Sequence, residues 1–208
     1  MVNLKVARGA KVLEVGTGSG YDAALLAQGN FDPKLVHSMD LQARLVEAAG
    51  AHLFDAGISG VNLLTGDGGL GWEARAPFDR IVISAGCLDI APEWTDQLNE
   101  DGILLVPFRT YGAGDPILRL QRSGESYSGG FVCYASFETL YGKYYDGRRT
   151  GLEYISLTSR EQSLLRKAPL RTFSFSWENQ VDFAVFCNAN GMQFEFGRAE
   201  IGGGHTGL

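Results

Sequence analysis

Short apolar runs punctuate the first half of the chain, and several end in glycine or an acid. Val12-Leu13-Glu14-Val15 leads into Gly16-Thr17-Gly18-Ser19-Gly20. Leu35-Val36-His37-Ser38-Met39 ends at Asp40, and Val61-Asn62-Leu63-Leu64 runs into Thr65-Gly66-Asp67-Gly68-Gly69. Arg80-Ile81-Val82-Ile83-Ser84 and Ile103-Leu104-Leu105-Val106 continue the series. Short runs without a polar face are the mark of strands in a parallel sheet covered on both sides. Between them the period changes. Asp22 to Ala27 is rich in alanine and leucine and predicts a helix. Leu41 to Ala56 predicts another, with Leu45, Val46, Ala49 and Leu53 on one face and Gly57 as its stop. Pro92 to Leu98 predicts a short third helix. Alternation of this kind predicts an α/β fold with a Rossmann-like, doubly wound, mostly parallel sheet.

Past Val106 the pattern loosens. Ile117 to Gln121, a turn over Arg122 to Ser126 and a return over Phe131 to Phe137 predict an antiparallel hairpin at the edge of the sheet. Tyr141, Tyr144 and Tyr145 then mix with Lys143, Arg148 and Arg149, which fits either a peptide-docking surface or a solvated loop with anchoring aromatics. Leu170 to Phe175 predicts a strand. Ser176 could cap a helix from Trp177 to Asn188, with Trp177, Val181, Ala184 and Val185 on one face and a stop at Gly191. Met192 to Phe196 predicts one more strand. The expected division is a cofactor-binding domain over residues 1–140 and a small C-terminal α+β extension over 141–208, which fits an appendage or part of a larger domain.

The glycine loop carries the candidate chemistry. Gly16 allows a sharp turn with positive φ, Gly18 lets backbone approach a ligand, and Gly20 lets the following helix pack close. The helix N-terminus supplies unpaired N–H groups and partial positive charge. This G-x-G-x-G spacing differs from the dinucleotide fingerprint G-x-G-x-x-G. Asp40, at the tip of the second strand, could accept hydrogen bonds from both hydroxyls of a ribose, or cap the next helix. Asp67, after the third strand, could reach the exocyclic amino group of an adenine.

With these motifs in place, the chain resembles the class I S-adenosylmethionine-dependent methyltransferases, and among them the protein-L-isoaspartate O-methyltransferase family. The resemblance rests on Val12 to Ala27, Gly66 to Gly71, Ala76 to Ala85 and the segment from Gln97 to Pro107, and covers roughly Leu4 to Gln121. It implies that Gly16, Thr17, Gly18 and Gly20 form the cofactor loop. It implies that Glu14 supports the methionine end, that Asp40 holds the ribose, and that Asp67 with Gly68 lies at the adenine. The chain departs from the family pattern at both ends. Family members carry a longer N-terminal segment that covers the cofactor and helps hold the substrate carboxylate, so the acceptor half of the site is expected to be missing here. The stretch after Gln121 exceeds that of the small repair enzyme and fits a peptide-modifying member.

Composition adds limits. The 208 residues are 45% hydrophobic, enough for one sizeable core. The net charge of -6 argues against nucleic-acid or anionic-membrane binding. No apolar run is of membrane-spanning length and no signal-peptide pattern precedes the loop, so a cytoplasmic protein is expected. Cys87, Cys133 and Cys187 lack metal-ligand spacing and read as reduced thiols. Cys87 follows a strand tip and could border the ligand, but no base stands near it in sequence. His37, His52 and His205 are too scattered for a metal site.

The resemblance implies a carboxyl O-methyltransferase acting on isoaspartyl or aspartyl residues of a peptide or protein, with S-adenosylmethionine as cofactor. The methyl ester could then close to a succinimide with loss of methanol. No general base is needed, because a carboxylate with a reference pKa near about 4 is already ionised at neutral pH. Catalytic residues are not identified. Two alternatives stand beside this one. The chain could be a cofactor-binding module whose acceptor half is lost or supplied by a partner, or a nicotinamide oxidoreductase, against which the loop spacing and Asp67 argue.

Overall fold

The computed structural model describes residues 3–30, 32–108, 115–124 and 126–144, and the backbone of 170–175, 183–188 and 196–198. The chain alternates β1 (Val12–Val15), α1 (Tyr21–Asn30), β2 (Val36–Asp40), α2 (Ala43–Asp55), β3 (Asn62–Thr65), β4 (Phe78–Ile83), α3 (Pro92–Asp96) and β5 (Leu98–Pro107). The strands β6 (Asp115–Ser123), β7 (Ser126–Ala135), β8 (Leu170–Phe175), β9 (Phe183–Asn188) and β10 (Phe196–Arg198) follow. One sheet runs in the order β10-β9-β8-β7-β6-β5-β4-β1-β2-β3. Strands β1 to β5 are mutually parallel. β6 and β7 form the antiparallel hairpin, and β8 returns parallel to β7.

All four residues of β1 are buried, as the unbroken run Val12 to Val15 requires in a central strand. Its neighbours are β2 on one side and β4 on the other. The chain therefore builds outward from β1 in one direction, then crosses to the other side. That reversal opens a crevice at the carboxyl ends of β1 and β4, where α/β folds bind ligands. The larger core cluster lies beneath it and includes Leu13, Val15, Ile83, Cys87, Trp94 and Phe108. A second cluster joins Leu4, Val12, Leu26, Ala27, Val36 and Ile103. Asn30 ties the N-terminal segment down: its Oδ1 accepts from Gly9 N at 2.8 Å and its amide donates to the Ala10 carbonyl.

α2 ends in a Schellman motif. Ile58 N donates to Leu53 O at 2.8 Å, Gly57 N donates to Phe54 O at 2.9 Å, and Gly57 has φ +71. Among the described residues no helix is long and apolar enough to cross a membrane.

The structure corrects one expected element. The helix expected from Trp177 to Asn188 is not formed over its second half: Phe183 to Asn188 is strand β9, antiparallel to β8 through six residue pairs. Its sequence, Phe-Ala-Val-Phe-Cys-Asn, is aromatic and β-branched, and a neighbouring strand edge decides such segments more than periodicity does. The expected cap at Ser176, Arg148, Arg149 and most of the expected strand Met192 to Phe196 lie outside the described residues, as does Tyr145.

Candidate functional site

The glycine loop leaves β1 at the crevice. Gly16 N and Thr17 N both donate to Met39 O, at 2.8 and 3.1 Å, so the tip of β2 fixes the turn. Gly16 has φ +99, and a Cβ there would stand 3.1 Å from Ser84 O of the β4 tip. At Gly18, with φ +52, a Cβ would meet nothing within 4 Å, so this backbone faces open space. Gly20 makes a different contact from the one expected. A Cβ there would stand 3.0 Å from Ala49 Cβ, so its smallness serves the approach to α2, not the packing of α1 on its strand.

Asp40 is coupled directly to this loop. Its Oδ2 accepts from Gly18 N at 3.1 Å and its Oδ1 from Gln42 N at 3.0 Å. The N-cap of α2 is Gln42, so Asp40 stays at the strand tip and does not cap that helix. Asp67 lies at the next tip. It caps a short 3-10 turn over Gly68–Leu70, its Oδ1 accepting from Gly69 N at 2.9 Å. Gly68 is packed against β1, and a Cβ on it would overlap the Val15 side chain. The Gly68 carbonyl accepts from Trp94 Nε1 at 2.8 Å. The structure thus brings Gly16, Thr17, Gly18, Asp40, Asp67 and Gly68 to adjoining tips, with Gly20 behind them.

Glu14 is placed differently. It sits within β1, fully buried, below the loop. Its Oε2 accepts from Ser38 Oγ at 2.6 Å, and Ser38 Oγ lies 2.6 Å from Thr17 Oγ1. Its Oε1 is buried with no hydrogen-bond partner. Burial raises its pKa from 4.5 to about 8; the hydrogen bond from Ser38 offsets part of this, and the neighbouring Asp22 and Asp40 add to it.

Sequence reasoning missed Ser38. The available signal was a small hydroxyl in an otherwise buried strand, but its importance needs the register that sets Ser38 beside Glu14. The segment after β7, read as a docking surface or a loop with anchoring aromatics, was not expected to reach this site. Lys143 N donates to Asp67 Oδ2 at 2.6 Å. Lys143 Nζ and Tyr144 OH donate to the two carboxylate oxygens of Glu93 in α3, at 2.7 and 2.5 Å. Burial pushes the Glu93 carboxyl up, but these two hydrogen bonds, its own backbone N–H and the Lys143 charge together outweigh it and the net shift is downward. Gly142 to Tyr144 is therefore a strap across two acids. Tyr144 is an anchor, and Tyr141 remains about half exposed at 48%.

The strap makes a prediction. Gly142 has φ +125, and a Cβ on it would overlap the Asp67 carboxylate. Gly142→Ala is expected to detach the strap at a cost of about 1–3 kcal/mol. Hydrogen exchange should then speed up at Lys143 and Gly69 while β1 and β4 stay protected. Unchanged exchange at Lys143 would show that the glycine is not required.

The cysteines and histidines take structural positions. Cys87 is buried and its Sγ lies 3.2 Å from Ala85 O. His37 is buried edge-on against Trp72 and Phe78, and that burial lowers its pKa. His52 Nδ1 lies 2.9 Å from Ser19 O, so it borders the loop from α2.

The chain has counterparts among known proteins. The family model for protein-L-isoaspartate(D-aspartate) O-methyltransferase matches residues 1–139. A protein-L-isoaspartate O-methyltransferase of Parvibaculum lavamentivorans is 38% identical over 124 residues, covering 59% of this chain and 54% of that protein. One from Syntrophobacter fumaroxidans is 43% identical over 104 residues, covering 50% and 41%. The chain thus spans about half the length of the curated relatives it matches. A solved protein-L-isoaspartate O-methyltransferase superposes with a TM-score of 0.64 at 22% identity, covering 88% of this chain and 62% of that one. A Plasmodium falciparum structure described under the same enzyme name, in complex with S-adenosyl-L-homocysteine, gives a TM-score of 0.56 at 18% identity, covering 67% and 68%. The two superpositions establish the Rossmann-like methyltransferase fold, and the family match over most of the chain establishes that it belongs to the class I protein-L-isoaspartate(D-aspartate) O-methyltransferase family.

Proposed function

We propose that this chain binds S-adenosylmethionine at the glycine loop and serves carboxyl O-methylation of isoaspartyl or aspartyl residues in a peptide or protein. The observation that carries this is the set of three adjoining strand tips: an open Gly18 backbone hydrogen-bonded to Asp40, and Asp67 beside them on a turn packed against Val15. The residues present fit such a cofactor. Gly18 leaves room for it, Asp40 and Asp67 offer carboxylate acceptors along the crevice, and behind the loop stands a buried carboxyl oxygen without a partner. The oxidoreductase alternative has no comparable support from the family match.

In this proposal Asp40 orients the ribose, and Asp67 and Gly68 frame the adenine. Gly16 and Thr17, fixed by Met39 O, shape the methionine end. When bound, the cofactor would supply an activated methyl group for an acceptor carboxylate oxygen. The chain's own residues align donor and acceptor and exclude water. Such alignment contributes up to roughly 7–11 kcal/mol in favourable cases. No proton need leave the acceptor, so no general base is assigned.

The test is incubation with methyl-labelled S-adenosylmethionine and an isoaspartyl peptide. The expected product is a base-labile labelled ester. Cofactor binding by the folded chain without ester would overturn the carboxyl-methylation part of the proposal and leave the cofactor part standing.

A further inference from the structure

The segment after β7 is stretched between two anchors, and Asp67 lies between them. At one end Gly86 N donates to Glu138 O at 2.7 Å and Leu140 N donates to Gly86 O at 3.0 Å, which ties the segment to the tip of β4. At the other end Lys143 Nζ and Tyr144 OH donate to the two carboxylate oxygens of Glu93. Between these anchors Lys143 N donates to Asp67 Oδ2. A Cβ on Gly142 would stand 2.6 Å from Asp67 Cγ and 2.7 Å from Oδ2, so this backbone lies directly against the carboxylate. The Tyr144 ring covers the turn itself: a Cβ on Gly69 would stand 2.6 Å from Tyr144 Cδ2.

Asp67 thus has one donor from its own turn, Gly69 N, and one from 76 residues further along the chain. The turn needs only the first. The second fixes the carboxylate at its other oxygen. An asparagine could not serve both donors, because it would turn an NH2 group toward one of them. The two main-chain donors use two of roughly four acceptor positions on a carboxylate. Asp67 is half-buried, so the remaining positions are open to a ligand.

An acceptor held still distinguishes ligands by where their protons lie. A 6-amino purine offers it an N–H. A 6-oxo purine presents a carbonyl oxygen there and carries its proton on N1, one ring position away. A carboxylate free to swing could follow that proton, whereas one fixed at both oxygens meets lone pairs instead. Resting on the cofactor reading above, we propose that Glu93 is a positioning residue: through the strap of Gly142 to Tyr144 it holds the Asp67 carboxylate in the orientation that selects a 6-amino purine over a 6-oxo purine.

The probes are S-adenosylhomocysteine and S-inosylhomocysteine, which differ at that purine edge alone. Calorimetric titration of the whole chain gives both affinities. The wild-type chain is expected to prefer the adenosyl ligand by about tenfold to a hundredfold. Glu93→Ala should cut that preference to about a third or less. Lys143→Met combined with Tyr144→Phe keeps every main-chain donor and Glu93 itself, and should act in the same direction. A strap that merely stabilised the fold would weaken both ligands alike, so either variant, folded and with the full preference, overturns the inference and leaves the cofactor reading standing. Coupling is reciprocal, so whatever the strap contributes to binding, binding contributes to the strap. S-adenosylhomocysteine should therefore slow hydrogen exchange at the Lys143 amide of the wild-type chain, and more than S-inosylhomocysteine does. Equal exchange with and without S-adenosylhomocysteine overturns the inference even if both variants fail to fold. Equal wild-type affinities remove the adenine from Asp67, and this inference with it, while leaving cofactor binding intact. No binding of either ligand overturns the cofactor reading as well.

Discussion

Replacing Glu14 with glutamine is expected to remove a pH-dependent loss of stability that the wild-type chain suffers between pH 4.5 and about 8. The folded chain holds the Glu14 proton up to about pH 8, whereas the ordinary value is 4.5. Below 4.5 the group is protonated whether the chain is folded or unfolded, and it contributes no slope. Between the two values the unfolded chain releases the proton and the folded chain keeps it, so rising pH favours unfolding. Above about 8 both states are ionised, and the loss is complete. One pKa unit corresponds to about 1.4 kcal/mol, so the whole window amounts to roughly 5 kcal/mol as an upper limit. Glu14 is fully buried, so solvent screens little of this. Against a typical domain stability of about 5–15 kcal/mol the effect is large. The measurement is urea denaturation of both proteins near pH 5 and near pH 8. The variant's stability relative to wild type should rise by several kcal/mol between them. Parallel profiles would mean that Glu14 is not held neutral in the folded chain.

That an acid is kept in so costly a place bears on the site. Ser38 satisfies one carboxylate oxygen, and the other is satisfied by nothing among the described residues. A purely structural position would be better filled by an apolar side chain, as Val12, Leu13 and Val15 fill the rest of β1. Strain of this kind beside a ligand loop is consistent with a role in binding.

What the sequence made legible was local. The glycine loop, Asp40 and Asp67 lie at the ends of short apolar runs, so strand and turn signals suffice to find them. The Schellman stop at Gly57 was readable for the same reason. What it did not reveal depends on alignment between strands. Glu14 meets Ser38 only because β1 and β2 pair in that register. The hairpin strand β7 begins at Ser126, earlier than the expected Phe131, and takes in Gly129 and Gly130. In the folded sheet Gly129 faces β6 so closely that a Cβ would overlap the Arg119 carbonyl, so glycine there permits the pairing. The strap at Gly142 to Tyr144 looked like a mixed aromatic and basic loop. Its partners, Asp67 and Glu93, are distant in sequence and no periodicity points to them.

Trp94→Ala is expected to be the most damaging single substitution in the described core, and Trp94→Phe to separate packing from anchoring. α3 is a five-residue helix, too short to persist by backbone hydrogen bonding alone. Its place is set by Trp94, which is fully buried in the larger core cluster with Cys87, Ile90, Leu98 and Phe108. The indole Nε1 also donates to the Gly68 carbonyl at 2.8 Å, which fixes the turn after Asp67. Truncation to alanine removes the packing and the hydrogen bond together, at about 3–5 kcal/mol for the cavity alone. Phenylalanine keeps most of the packing and removes the indole hydrogen bond, while Gly71 N still donates to the Gly68 carbonyl at 3.1 Å, so the loss is about 0.5–1.5 kcal/mol. Urea denaturation gives both numbers. The phenylalanine variant should also bind S-adenosylhomocysteine more weakly, because the turn carrying Asp67 loses one of its ties to α3, keeping the one from Gln97 Nε2 to Leu70 O, while the glycine loop keeps its own ties to Met39. If Trp94→Phe loses stability but keeps full affinity, the Asp67 turn is held by β1, the strap and Gln97 without help from the indole, and Trp94 serves packing alone.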